Sequence, residues 1–206
     1  MRGFIRQVNP FELADFRRNP GKIKSLLDED TLGSFQPAVR PAIERMQELL
    51  LHGQWNSPEV RQLDAQLREE MEKPGAHDLL FSNDEKRLSL EKCWHELHYL
   101  LTGTAGDAPP PLGNAILGGR EIGVSLGYGP VRFLTPKEVR EVAAALAEIS
   151  NDELARRFDP AAIERADIYA CSGEDGLEDD LYFFEQMVQY YTDAAGQGNG
   201  VLLYIR

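Results

Sequence analysis

Cysteine is scarce in this sequence, since Cys93 and Cys171 are the only two among 206 residues. Two cysteines are too few for a disulfide framework, so we expect reduced thiols in a cytoplasmic protein. The chain also lacks a run of eighteen apolar residues and an apolar leader behind its first residues. These absences argue against a membrane-spanning helix and a secretory signal peptide, and we expect no membrane partner.

Motifs of cofactor binding and covalent catalysis are missing as well. The chain has no Gly-Lys-Ser/Thr phosphate loop and no nucleophile elbow, and "GYGPV" at 127–131 lacks the third glycine of a dinucleotide loop. "HELH" at 95–98 spaces its histidines by three residues, whereas a zinc-binding helix spaces them by four. With His52 and His77 as the remaining histidines, the sequence predicts neither a metal site nor a cofactor.

Negative charge is abundant and unevenly distributed along the chain. The formal net charge is −12; residues 1–45 hold eight basic and six acidic side chains, and residues 46–206 hold 14 basic and 28 acidic ones. An acidic surface repels phosphate backbones and anionic lipids, so we expect no nucleic-acid partner. A basic protein is the partner that such a surface favours, although solubility alone would also account for it.

Strands are predicted at both ends of the chain, with helices between them. The alternating "GFIRQV" at 3–8 and the apolar "GVLLYIR" at 200–206 predict the two terminal strands. A capping residue, a proline at the first helical position and a glutamate at the third predict helix starts after Asn9 and Thr135. We expect a single α+β domain over 1–206, with a small sheet that includes both terminal strands, several packed helices and a mainly helical insertion at 33–88.

Two further segments bear on where a site would lie. A capping-box pattern at Ser82 to Glu85 predicts a helix that runs on through "EKCWHELHYLLTG" and ends at Gly103. Residues 103–130 hold eight glycines and four prolines, so they are predicted to form a long loop. Loops of this length in a compact domain tend to be functional or wrongly assigned.

His98 is the candidate functional side chain within that helix. Helical spacing places it on the inward stripe one turn after Trp94, with His95 on the flank. One interpretation is a buried neutral imidazole that donates to a backbone carbonyl. The other is a general base in a pocket under the 103–130 loop, because His titrates near neutrality. The candidate pocket or partner surface comprises residues of this helix end and of the loop: Trp94, His98, Thr102, Gly103 and Tyr128.

Several blocks of the sequence resemble a known family. "MRGFIRQVNPFELADF", "WHELHYLLTG", "LGNAILGG", "YGPVRFLTPKEV" and "FFEQMVQYYTDAAGQGNGVLLYI" are similar, in this order, to the YfbM-like family, also known as domain of unknown function 1877. The resemblance implies a soluble, cytoplasmic, bacterial α+β domain without an established activity. The family pattern includes His98 but not His95. Residues 33–88 have no counterpart in it, and the segment "ACSGEDG" (170–176) differs from it.

Two functions remain open on these grounds. The first is an acidic protein-binding module, for instance an immunity- or antitoxin-like inhibitor of a basic protein, which the uneven charge favours. The second is a small-molecule enzyme or hydrolase with His98 as general base. We favour the first, because no catalytic constellation is visible in the sequence.

Overall fold

The computed structural model describes residues 1–33, 40–54, 57–71, 86–169 and 176–206. The chain divides into two compact units, one formed by Met1–Lys24 with Glu85–Arg206 and the other by Ser25–Asp84. The predicted capping box at 82–85 lies outside the described residues.

The first unit is built on a five-stranded antiparallel sheet with the order β2-β1-β5-β4-β3. The two terminal strands pair with each other at its centre, in register from Gly3 opposite Ile205 to Val8 opposite Gly200. This arrangement confirms the prediction that both terminal strands belong to one sheet. The strands are β1 (Gly3–Val8), β2 (Arg87–Glu91), β3 (Arg120–Ser125), β4 (Pro130–Leu134) and β5 (Gly200–Ile205).

Helices occupy most of the remaining described chain. Both predicted capping boxes are formed: the Asn9 side chain accepts from the backbone of Glu12, whose carboxylate accepts from Asn9, and Thr135 pairs with Glu138 in the same way. The α-helices are α1 (Pro10–Arg18), α2 (Gly21–Gly33), α3 (Arg40–Leu51), α4 (Pro58–Met71), α5 (Trp94–Thr102), α6 (Pro136–Ala147), α7 (Asn151–Arg157), α8 (Pro160–Arg165) and α9 (Gly176–Gly196). None of the described helices is both long and apolar enough to cross a membrane.

One large apolar cluster of the first unit lies on one face of the sheet, and strand residues of the other face, such as Val131 and Leu202, are buried too. Because successive strand residues point to opposite faces, Ile5, Leu134 and Leu203 lie on the same side, where they form one cluster with α5, α6 and α9. The Tyr191 hydroxyl of α9 is fully buried there and donates to the carbonyl of Ala115, at 2.8 Å. Burial of each large apolar side chain in this cluster contributes about 1.5–3 kcal/mol.

The second unit contains α3 and α4. The guanidinium of Arg45 on α3 lies between two carboxylates, 2.7 Å from Glu59 of α4 and 2.6 Å from Glu48 of its own helix. Ser57 caps α4 by accepting from the backbone N–H of Val60, at 3.2 Å. The segment predicted as a mainly helical insertion, 33–88, includes α3 and α4 and, at its end, the first residues of β2. The insertion stays a prediction.

Two sequence predictions fail in the first unit. Residues 87–91 form β2 and not the start of a helix, because Leu88 and Leu90 alternate with polar residues at the period of a strand. Glu91 adopts a left-handed φ of 46°, and α5 begins at Trp94. The loop predicted over 103–130 contains a short 3-10 helix, Leu112–Ala115, and strand β3.

The cysteine prediction also requires a correction. Cys93 is fully buried and disulfide-bonded, so the expectation of two reduced thiols is wrong. A single bond needs only two cysteines, even though two are too few for a framework of bonds. Cys171 lies outside the described residues. A cytoplasmic location therefore remains a prediction without support from the thiols.

Contact between Gly3 and Trp94 joins β1 to α5. A Cβ added at Gly3 would lie 2.4 Å from the Cβ and 2.8 Å from the Cγ of Trp94. Because these atoms are close to the helix backbone, α5 or β1 would have to shift. We expect Gly3→Ala to lower the free energy of unfolding by about 1–3 kcal/mol, measured by urea denaturation.

Gly21→Ala is the matched control for this substitution. An added Cβ at Gly21, the first residue of α2, meets nothing within 4 Å. Alanine is also the better helix former, so the control should be neutral or slightly stabilising. Equal stability of Gly3→Ala and the wild type would show that this contact does not constrain the packing.

Candidate functional site

Helix α5 carries most of the candidate residues and is buried on nearly every side. Its buried residues are Trp94, Glu96, Leu97, His98, Leu100 and Leu101. A helix of this kind belongs to a core. Gly103, at a left-handed φ of 75°, ends it and donates to the carbonyl of Tyr99, as predicted for a C-terminal glycine. The Thr102 hydroxyl donates to the carbonyl of His98, at 2.7 Å.

His98 is fully buried and bonded to the backbone. Its Nε2 lies 2.6 Å from the carbonyl oxygen of Gly106, so Nε2–H donates and Nδ1 keeps its lone pair. Burial lowers the pKa of His98, and the bond to Gly106 partly opposes that shift. Nδ1 is buried and has no hydrogen-bond partner within the described chain. The imidazole is therefore neutral and enclosed, which favours the structural interpretation over a general base.

His95 has a role that the sequence analysis did not find. Its Nε2–H donates to the carbonyl of Ala105 at 2.8 Å, and its Nδ1 accepts from the backbone N–H of Tyr169 at 2.9 Å. The ring also stacks on Trp94, with centroids 4.7 Å apart. His95 and His98 thus hold two consecutive carbonyls of the turn behind α5. Both histidines order backbone, and neither ring presents a free nitrogen to solvent.

The five candidate residues do not share one set of contacts. Trp94, His98, Thr102 and Gly103 lie together on α5 and its C-terminal end, whereas Tyr128 lies on the turn between β3 and β4. The Tyr128 side chain is 64% exposed and makes no side-chain hydrogen bond or ring contact with the described part of the chain. A pocket lined by all five residues remains a prediction.

A second buried feature is the pair of carboxyl groups of Glu96 on α5 and Asp180 on α9. Asp180 of α9 is fully buried, and neither of its carboxyl oxygens has a hydrogen-bond partner within the described residues. Burial raises the pKa of Asp180 to about 8, with smaller contributions from Glu96 and Asp179. Glu96 is only 2% exposed, and its carboxylate oxygens lie 3.8 and 3.9 Å from the position of a Cβ added at Gly176. The Asp180 carboxyl is therefore protonated at neutral pH.

The spacing of α9 could have revealed this pair. Asp180 lies four residues before Phe184, seven before Met187 and eleven before Tyr191, which are the buried positions of the helix. An aspartate on an apolar stripe is a signal of a buried carboxyl group. The described chain contains no group of three side chains suited to hold a metal ion, and two carboxyl groups fall short of a coordination shell.

The outer face of α9 forms an acidic stripe. We use this name for the exposed residues that recur at helical spacing: Glu178, Tyr182, Glu185, Gln189 and Asp193. Helix α9 contains five acidic residues and no Lys or Arg. Tyr182 is 57% exposed in the middle of the charged positions, and Glu185 accepts a hydrogen bond from Asn151 of α7. An exposed aromatic ring flanked by carboxylates is a surface suited to protein contact.

Comparison with known proteins identifies the family. The family model described as a domain of unknown function, DUF1877, matches residues 1–204. The chain belongs to this family. Protein YfbM of Escherichia coli K12 is 32% identical over 155 residues, which cover 68% of this chain and 89% of YfbM.

A solved structure of another protein has a similar fold to this DUF1877 protein. The crystal structure of YfbM, a protein of unknown function from Escherichia coli, aligns with 98% of this chain and 98% of its own, with a TM-score of 0.52 and 18% sequence identity. This similarity confirms the predicted α+β fold. Neither the family nor this relative carries a stated activity.

Proposed function

We propose that this DUF1877 protein is an acidic protein-binding module, and that the acidic stripe of α9 contacts a basic partner protein. The observation that carries the proposal is the exposed ring of Tyr182 between Glu178 and Glu185 on a helix without a single basic residue. An inhibitor of the immunity or antitoxin type would use such a surface against a basic protein.

The way α9 is anchored supports this proposal. The face opposite the stripe packs Phe184, Met187 and Tyr191 into the core, so the stripe lies on a rigid element. A surface that is already ordered loses little conformational entropy on binding. Its carboxylates would steer a basic partner and raise the association rate, and Tyr182 would supply buried area in the contact.

The environment of His98 gives less support to the enzyme hypothesis. A general base must come within hydrogen-bond reach of the proton that it removes. The His98 ring is fully buried, and one of its nitrogens is already bonded to Gly106. A hydrolase centred on His98 would need this turn to open.

Charge reversal on the stripe tests the proposal. The tagged wild type should retain a stoichiometric basic partner from lysate of its source cells at about 0.1 M salt and lose it at about 1 M, since the Debye length falls from about 10 Å to about 3 Å. The double variant Glu185→Lys/Asp193→Lys should lose the partner at low salt. Glu148→Lys/Glu164→Lys is the control, because it changes the net charge equally at exposed positions of α6's C-terminal cap and α8.

Once the partner is purified, its association kinetics give the sharper measurement. The stripe variant should lower the association rate constant by about tenfold or more at low salt, whereas the control should change it much less. Tyr182→Ala should mainly raise the dissociation rate constant. Partner retention that survives reversal of the stripe, or falls equally in the control, would contradict the assignment of this surface.

A further inference from the structure

A small cavity lies where the C-terminal turn of α1 meets the edge of the sheet. It has a volume of about 260 Å³ and is lined by Arg17, Arg120, Glu121, Ile122 and Phe133. We call it the arginine cavity. It belongs entirely to the first compact unit.

The two guanidinium groups of the arginine cavity lie over one aromatic ring. The Cζ of Arg120 is 4.8 Å and that of Arg17 is 5.4 Å from the ring centroid of Phe133. Arg120 of the edge strand β3 is paired with Phe133 of β4. Phe133 is only 4% exposed, even though it lies next to the edge of the sheet. Contact with the ring restrains the guanidinium groups and leaves N–H groups at their edges able to donate.

Arg17 has no partner for those donors. Within the described chain its guanidinium group forms no hydrogen bond and no ion pair, and its side chain interacts only with the ring of Phe133. Arg120 uses one terminal nitrogen on Glu138, at 3.1 Å. Five donors on Arg17 and the remaining donors on Arg120 are therefore available to a ligand.

The residues that line the cavity carry two basic side chains and one acidic one, in a chain whose net charge is −12. Glu121 also lines the cavity, but strand alternation directs its side chain to the other face from Arg120 and Phe133, and its carboxylate lies 3.9 Å from Arg132. Two like charges held over one ring repel each other, and only one of them has a carboxylate partner. An anion between them would remove that repulsion.

We propose that the arginine cavity binds the oxyanion of a small molecule, a phosphate or a carboxylate, through the forked donors of Arg17 and Arg120. Bidentate hydrogen bonds from guanidinium groups are the strongest and most specific contacts that proteins make with these groups. The cavity is large enough for the oxyanion and a short substituent. This site is separate from the acidic stripe, and either proposal can fail without the other.

Titration with inorganic phosphate and with acetate tests this inference. The Arg Nε–H signals of the wild type should shift in a saturable way with at least one of the two probes, and the tighter probe identifies the oxyanion. Arg17→Gln should raise the Kd for that probe by about tenfold or more, because both the charge and the fork are lost. Arg17→Lys, which keeps the charge without the fork, should also weaken binding.

Arg18→Gln is the matched control, since Arg18 is exposed on the same helical turn and bonds only the backbone of Ala14. It should leave the Kd within about twofold, because an exposed charge outside the cavity is screened. Arg120→Gln provides a second variant from the opposite wall and should weaken binding as Arg17→Gln does. Absence of saturable binding in the wild type, equal effects of Arg17→Gln and Arg18→Gln, or unchanged binding in Arg17→Lys would overturn the proposal.

Discussion

Asp180→Asn should stabilise the protein strongly at alkaline pH and have little effect at acidic pH. The wild-type carboxyl is protonated in the folded state up to about pH 8, whereas it ionises near its ordinary pKa of 3.8 when the chain unfolds. A folded-state pKa that is raised in this way gives a contribution that is complete below about pH 4. This contribution is lost as the pH rises through about 8.

The size of the effect follows from the shift. One unit of pKa corresponds to about 1.4 kcal/mol, so the wild type should lose on the order of 3 to 5 kcal/mol between pH 4 and pH 8 through this one group. The amide introduced by Asp180→Asn cannot ionise, and its shape is nearly that of the protonated carboxyl. The difference in unfolding free energy between variant and wild type should therefore grow from near zero at acidic pH to several kcal/mol above pH 8.

Urea denaturation across this pH range measures the difference. Asp193→Asn is the control, because Asp193 is exposed on the same helix and bonds only the side chain of Gln189. Its stability should run parallel to that of the wild type at every pH. Parallel curves for Asp180→Asn would mean that the carboxyl is already solvated or paired in the folded protein.

His98→Ala should lower the free energy of unfolding by about 2–4 kcal/mol at pH 7, because it removes a buried ring and its bond to Gly106. The loss should shrink on acidification. Burial lowers the pKa of His98, so the neutral ring contributes stability above its ordinary pKa of 6.5, and this contribution is lost as the pH falls through the lowered value. Alanine carries no such dependence.

Urea denaturation at pH 7.5 and pH 5.5 checks this prediction, with the exposed His52→Ala as control. The control should match the wild type at both values. Substitution of a catalytic histidine often leaves the free energy of unfolding unchanged or even raises it, because such residues tend to destabilise the fold. Full stability of His98→Ala would therefore revive the enzyme hypothesis and redirect the search to small-molecule substrates.

Local patterns predicted much of the fold. The capping boxes at Asn9 and Thr135 and the glycine at 103 act within one turn of backbone, so their sequence signals survive in any context. The sequence pattern does not indicate strand β3, because only Ile122 and Leu126 are buried around it and the register is irregular between Glu121 and Ser125. An edge strand of this kind carries little alternation to detect.

The candidate site was predictable only in part. Helical spacing placed His98 in the interior, because a helix of known phase determines which residues share a face. The partners of His95 and His98 are backbone groups, namely the carbonyls of the turn at 105–106 and the N–H of Tyr169, which no side-chain pattern reveals. The juxtaposition of Glu96 with Asp180 joins residues 84 positions apart, so it depends on the packing of α5 against α9.

The position of β5 has a consequence for synthesis on the ribosome. This strand lies between the β2–β1 pair and the β4–β3 pair, and it leaves the exit tunnel after the other four described strands of this sheet. Until then the nascent chain holds two separate two-stranded ribbons, which are marginally stable in water. Each ribbon leaves one inner edge, β1 or β4, open to pairing with another chain. The nascent protein is thus most exposed to misassociation while β5 has not yet paired with both ribbons, and a chaperone that covers these edges would act in that interval.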